Sequence, residues 1–122
     1  MNRYRVKPGK RVKLSDWDPN ATDAADSGKD EGTAMLTELQ KELSELQELL
    51  YAEHQHRLLV ILQGMDTSGK DGTIRHVFKG VDPQGVRVVS FKAPSARERE
   101  HDYLWRVHQH TPGKGEIVIF NR

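Results

Sequence analysis

Leu36, Leu39, Leu43, Leu46 and Leu50 recur at spacings of three, four, three and four, which puts them on one stripe of a helix predicted from Thr33 to about Glu53. Glu42, Glu45 and Glu48 lie off that stripe, and Lys41 precedes Glu45 by the four residues of a helical ion pair. A coiled-coil seam has the same period, but about two heptads is short for one. The helix is therefore read as packing on the core of its own domain.

The pattern then changes. Arg57 to Gln63 carries the unbroken apolar run Leu58-Leu59-Val60-Ile61-Leu62, which suits a strand of a parallel sheet buried on both faces. Val86 to Phe91 is a second strand, rich in β-branched residues, and Glu116 to Phe120 a third, again predicted buried. Between the first two, Thr73-Ile74-Arg75-His76-Val77-Phe78 continues a helix that Gly80 and Pro83 end. Ser95-Ala96-Arg97-Glu98 has capping-box form and predicts a further helix to about His110, with Tyr103, Leu104, Val107 and Trp105 on its buried side. Thr111-Pro112-Gly113 stops it.

Strand, helix, strand, helix, strand is the order of an α/β sheet with crossover helices. Ligands of such sheets sit beyond the carboxyl ends of the strands. The chain ends at Asn121-Arg122, where a catalytic loop is expected to begin, so it reads as a truncated domain.

Before the first helix the composition splits. Residues 1–14 hold Arg3, Arg5, Lys7, Lys10, Arg11 and Lys13 with no acid; residues 15–32 hold Asp16, Asp18, Asp23, Asp26, Asp30 and Glu31 against Lys29 alone. Pro8, Gly9, Pro19, Gly28 and Gly32 interrupt this stretch and no helical or strand period survives in it. Residues 1–32 are read as an irregular arm and residues 33–122 as the domain. The arm is either a solvated tail or a guide for a polyanion through its basic half.

Over the 122 residues, 19 Lys and Arg balance 18 Asp and Glu, a formal charge of +1 that excludes an overall basic coat for nucleic acid. The absence of cysteine excludes a disulfide framework, a thiolate metal site and a cysteine nucleophile. No apolar run approaches the roughly 20 residues of a membrane helix, and no signal-peptide stretch follows the first residues. A soluble cytoplasmic protein with no nucleic-acid or membrane partner is the expectation. Six histidines (His54, His56, His76, His101, His108, His110) include two i,i+2 pairs whose rings diverge on a helix, so a zinc site is not expected. Trp17, Tyr51 and Trp105 are candidates for base stacking, with core or interface packing the commoner use.

The chemistry concentrates between the first strand and its helix. Gly64-Met65-Asp66-Thr67-Ser68-Gly69-Lys70 fits the Gly-x-x-x-x-Gly-Lys phosphate loop, with Asp71 and Gly72 following. Glycines let the backbone turn so that successive N–H groups face phosphate oxygens, the helix start adds its positive end, and Lys70 adds a full charge. Gly64, Met65, Thr67, Ser68, Gly69, Lys70, Asp71 and Gly72 are the candidate phosphate cradle. Asp71 stands where such loops carry the Ser or Thr that binds magnesium, and Asp66 lies inside the loop. Two acids beside a polyanion are repulsive unless a cation intervenes. Asp66 is the favoured Mg²⁺-linked acid, and Asp71 serves either the metal or the first helical turn. Lys92, just after the second strand, is a candidate for nucleotide or phosphate contact, or an ordinary solvent-facing lysine.

Residues 64–74 resemble the phosphate loop of the family-2 polyphosphate kinases. The resemblance continues through residues 80–86, 91–95, 102–106 and 115–122, and reaches back to residues 46–53 and to Tyr4-Arg5-Val6. It implies a P-loop kinase fold and Mg²⁺-dependent transfer of a terminal phosphoryl group between inorganic polyphosphate and a nucleotide. The arm and Tyr51-Ala52-Glu53 are most similar to the branch acting on AMP and ADP, with ATP as product. The resemblance makes Asp66 and Lys70 the catalytic acid and lysine, and Asn121-Arg122 the start of a second motif whose arginine contacts phosphate. That motif's following residues and the helical lid are not in this sequence, so the activity and homo-oligomeric assembly it implies are those of a longer parent. An ATP-dependent nucleoside monophosphate kinase and a non-catalytic phosphate-binding module are the competing readings.

Overall fold

A computed structural model describes residues 4–21 and 28–122, which divide into two compact units, Met1–Met35 and Leu36–Arg122. In the first unit, the Lys10 N–H donates to the Lys7 carbonyl across a turn in which Gly9 has φ +75°. A 3-10 turn follows at Leu14–Asp16, and the rings of Tyr4 and Trp17 lie 5.7 Å apart. The helix expected from Thr33 begins earlier: α1 spans Gly28–Glu53, with Asp30 and Glu31 in its first turn, where carboxylates favour the positive end of the helix. The last residues of the stretch read as an irregular arm are thus helical. Asp23 and Asp26 lie outside the described residues.

The second unit is built on a parallel sheet of β1 (Leu58–Leu62), β2 (Val86–Ser90) and β3 (Ile117–Asn121) in the order β1-β3-β2. Val60 and Val88 flank Ile119 in register. Helix α2 (Lys70–Val77) follows β1, and α3 (Ala96–Arg99) and α4 (Trp105–His108) precede β3. The last strand in sequence is therefore the central one, and Ile117, Val118, Ile119 and Phe120 are buried. No helix among the described residues is long and apolar enough to cross a membrane.

Three further expectations are corrected. β1, predicted buried on both faces, has one paired neighbour, and Leu58, Leu59 and Ile61 are exposed. Its run of five apolar residues reports what the strand can bury, which the described elements only partly cover. The single helix predicted from Ser95 to His110 is two short ones. Ser95 and Glu98 form the expected capping box, but Asp102 accepts the Leu104 N–H at 2.8 Å and restarts the chain in a new turn. Tyr103 and Leu104 are consequently exposed, leaving Trp105 and Val107 half-buried.

The third correction concerns α1. Leu36, Leu43 and Leu50 face inward as the spacing predicts, whereas Leu39 and Leu46 are exposed. Gln40 and Gln47 take their place. Gln40 donates through Nε2 to the His76 carbonyl, and Gln47, 2% exposed, donates through Nε2 to the Gln84 carbonyl at 2.8 Å. Hydropathy alone puts a glutamine outside; a carbonyl at a loop end pulls it inside. Close packing there also explains Gly85, which has φ +81° and whose Cβ would stand 2.6 Å from the Tyr51 ring.

Candidate functional site

The carboxyl ends of all three strands open onto one cavity of about 440 Å³, lined by Gly64, Asp66, Thr67, Ser68, Gly69, Lys70, Asp71, Ser90, Phe91, Lys92, Asn121 and Arg122. Residues 64–70 leave β1 and turn into α2. The Gly64 N–H donates to the Arg122 carbonyl at 3.0 Å and the Arg122 N–H to the Leu62 carbonyl at 2.9 Å, which ties the loop to the end of β3. Gly69 reaches the start of α2 in the left-handed region, at φ +84°. Thr67 has φ +65°, a strained setting for a β-branched residue of the kind that collects at functional loops. At Gly64 an added Cβ would stand 2.6 Å from Ser68 Oγ and 3.2 Å from its Cβ, so a side chain there would force Ser68 to shift.

Lys70 closes the ring. Its ammonium donates to the carbonyls of Gly64 at 2.8 Å and Met65 at 2.7 Å, with Ser68 Oγ at 3.3 Å. The half-buried charge is thereby held over the loop instead of extended into water. Behind it, the Thr73 N–H bonds the Gly69 carbonyl at 2.9 Å as the first α2 backbone hydrogen bond. The amides preceding it are the donors that a helix start leaves without an intrahelical acceptor.

The two acids differ. Asp71 Oδ1 accepts from the Asn121 side-chain amide at 2.6 Å, across fifty positions of sequence, which points this carboxylate toward the end of β3. That contact gives Asp71 a role the loop pattern did not suggest, orienting Asn121 as well as standing in the first turn of α2. Asp66 also lines the cavity, and no hydrogen bond or ion pair among the described residues engages its carboxylate.

Among the residues singled out from sequence, Gly64, Asp66, Thr67, Ser68, Gly69, Lys70, Asp71, Lys92, Asn121 and Arg122 come together at this cavity. Met65 and Gly72 are not on its wall: the Met65 side chain is 85% exposed and contributes only its carbonyl to Lys70, and Gly72 lies in the first turn of α2. Sequence reasoning missed Ser90 and Phe91 on the wall and Arg106 behind it. Arg106 donates through Nη2 to the Lys92 carbonyl at 3.0 Å, pairs with Glu98 at 3.2 Å, and lies 5.1 Å from the centre of the Phe91 ring, which itself meets Phe120 edge-on at 4.8 Å. The helical pattern around Arg106 gives no local sign of its bond to the Lys92 carbonyl, which lies fourteen positions away.

Glu98 is held below the ordinary carboxylate range, first by the Ser95 backbone N–H at 2.6 Å, then by the Ser95 hydroxyl and the charges of Arg106 and His110; partial burial acts in the opposite direction. A lowered folded-state pKa stabilises the fold above the unfolded value, and that contribution is lost as pH falls through the folded value. Thermal melts are therefore expected to show a loss from about pH 4.5 downward that Glu98→Gln reduces. An identical acid slope in the variant would exclude Glu98 as a source.

Trp105 stacks on His101 at 4.0 Å and Tyr51 packs by Gly85, so two of the aromatic candidates are engaged within the domain. Among the described residues no group of three or more His, Cys, Asp or Glu side chains could hold a metal ion on its own.

Residues 26–122 match the family model described as Polyphosphate kinase 2 (PPK2). The AMP/ADP-polyphosphate phosphotransferase of Meiothermus ruber is 57% identical over 122 residues, which are the whole of this chain and 46% of that protein. The ADP-polyphosphate phosphotransferase of Rhodopseudomonas palustris is 46% identical over 120 residues, 98% of this chain and 41% of its own. The crystal structure of Polyphosphate Kinase 2 from Arthrobacter aurescens TC1 superposes with a TM-score of 0.87 at 43% identity, covering 97% of this chain and 43% of that one. This chain thus spans less than half the length of each of these relatives. A shared fold, a family model that takes in most of the residues, and 57% identity over the whole chain lead to one conclusion: the chain belongs to the polyphosphate kinase 2 family.

Proposed function

We propose that these residues form the phosphate-loop part of an enzyme that moves a terminal phosphoryl group between inorganic polyphosphate and AMP or ADP, with Mg²⁺. The observation that carries this reading is the convergence of Lys70, Lys92 and Arg122 with Asp66 and Asp71 on one cavity beyond the strand ends. The names of the relatives favour polyphosphate as the phosphoryl donor over ATP.

In the forward direction the terminal P–O–P linkage of the polymer breaks and a new P–O bond forms to a nucleotide phosphate oxygen, leaving a polymer one unit shorter. The protein's part is positioning and charge stabilisation. Lys70 exchanges loop carbonyls for phosphate oxygens, the free amides at the start of α2 hold the same group, and Arg122 meets the charge on the moving phosphoryl. Lys92, whose backbone Arg106 fixes, supplies a further cation at the rim.

The acids fit Mg²⁺ of the kind that is shared with substrate. Magnesium is commonly held by one or two carboxylates plus phosphate oxygens and water, not by a cage of protein ligands. Asp66, with no partner of its own among the described residues, is the group that would hold it, while Asp71 is already tied to Asn121. When bound, the ion neutralises oxygens of the phosphates.

The test uses the protein in the full length its gene encodes, mixed with Mg²⁺, polyphosphate and AMP or ADP. Formation of ADP or ATP without added ATP is expected, and Asp66→Asn should cut the rate about 100-fold and raise the Mg²⁺ concentration needed. No transfer from polyphosphate, with transfer from ATP to a nucleoside monophosphate, would replace this reading by the ATP-dependent one. Anion binding without either transfer would leave a binding module.

A further inference from the structure

The first unit carries a second concentration of positive charge. Arg5, Lys10, Arg11 and Lys13, with Val6, Val12, Asp16 and Trp17, line a hollow of about 240 Å³. The turn at Gly9 and the 3-10 turn at Leu14–Asp16 fold this basic stretch back on itself, so that cations at both ends of it border the same space. Among the described residues none of Arg5, Lys7, Lys10, Arg11 or Lys13 lies within 4.0 Å of a carboxylate, and Asp16 is the one acid on the wall. Gathering like charges without counter-charges costs free energy that a polyanion would offset, and the gain falls with added salt.

From this we infer that residues 4–17 form a binding site for inorganic polyphosphate separate from the phosphate loop. The inference rests on the proposed substrate. A polymer without bases suits the hollow better than a nucleic acid does. Single-stranded nucleic acid is held by free aromatic faces as well as charge, and Trp17, the aromatic residue on the wall, has its ring paired with that of Tyr4 at an interplanar angle of 36°. A polymer long enough to occupy both sites gains effective concentration at each, a gain that an oligophosphate too short to occupy both does not have. The arm therefore selects for long chains.

The experiment measures equilibrium binding of end-labelled long polyphosphate and of tetraphosphate to the full-length protein. The variants are Arg5→Gln/Lys10→Gln/Arg11→Gln/Lys13→Gln and the charge-preserving Arg5→Lys/Lys10→Arg/Arg11→Lys/Lys13→Arg. The neutral variant is expected to weaken long-chain binding about ten-fold or more, with a shallower salt dependence and unchanged tetraphosphate affinity. The charge-preserving variant retains affinity. Because binding is read without turnover, a failure of the phosphoryl-transfer reading shows separately, as product that never forms. Unchanged long-chain affinity in the neutral variant, an equal loss for tetraphosphate, or single-stranded RNA bound as tightly as polyphosphate through these four residues would each overturn the inference.

Discussion

In the full-length protein, Lys70→Ala is expected to lower the proposed phosphoryl transfer by about 100- to 1,000-fold, the range seen when a preorganised group that meets developing charge is removed. The ammonium is held by the Gly64 and Met65 carbonyls and faces the cavity shared by all three strand ends, so no other cation stands in the same place. The fold should survive. The carbonyls it releases lie at an exposed loop and can bond water instead, and the circular dichroism spectrum should not change. Lys70→Arg should restore only part of the activity, because a planar guanidinium cannot make the same two short bonds to the Gly64 and Met65 carbonyls within so tight a turn. Single-turnover transfer from polyphosphate reads the chemical step. Wild-type turnover in Lys70→Ala would remove the phosphate loop from the mechanism.

The second large effect concerns stability. Ile119 is fully buried at the centre of the sheet, between Val60 and Val88, and truncating a side chain so enclosed costs about 2–5 kcal/mol. Ile119→Ala should therefore shift the denaturant midpoint of this 122-residue chain strongly. Ile61→Ala, on an edge strand and 58% exposed, should cost about 1 kcal/mol or less in the same chain. Equal losses would contradict the different burial of the two isoleucines in this sheet. The comparison bears on function too, because β3 ends in Asn121 and Arg122, and any loosening of it moves the residues that anchor the phosphate loop.

Local pattern carried far in this chain. The glycines and lysine of the loop, the apolar runs on either side, and the capping box at Ser95 are short-range signals, and each appears where the spacing placed it. The failures have a common cause. Leu39 and Leu46 share the period of Leu36, Leu43 and Leu50, yet Gln40 and Gln47 are inside because carbonyls of His76 and Gln84 lie opposite them. The helix from Ser95 breaks because Asp102 bonds an amide two residues on, an option the apolar period does not reveal. Arg106 was invisible as a support for Lys92 because the bond runs to a backbone atom fourteen positions away.

By itself, then, the amino-acid order determined where a phosphate loop can form and which segments become strands and helices around it. Those properties follow from backbone freedom, propensity and periodicity within a few residues. Only the tertiary structure decided that the last strand lies in the middle, that Asp71 turns to Asn121, and that Lys70 rests on two loop carbonyls. Strand order and the partner of a polar side chain depend on groups brought close by folding, and their attraction leaves no mark on the local pattern of either segment.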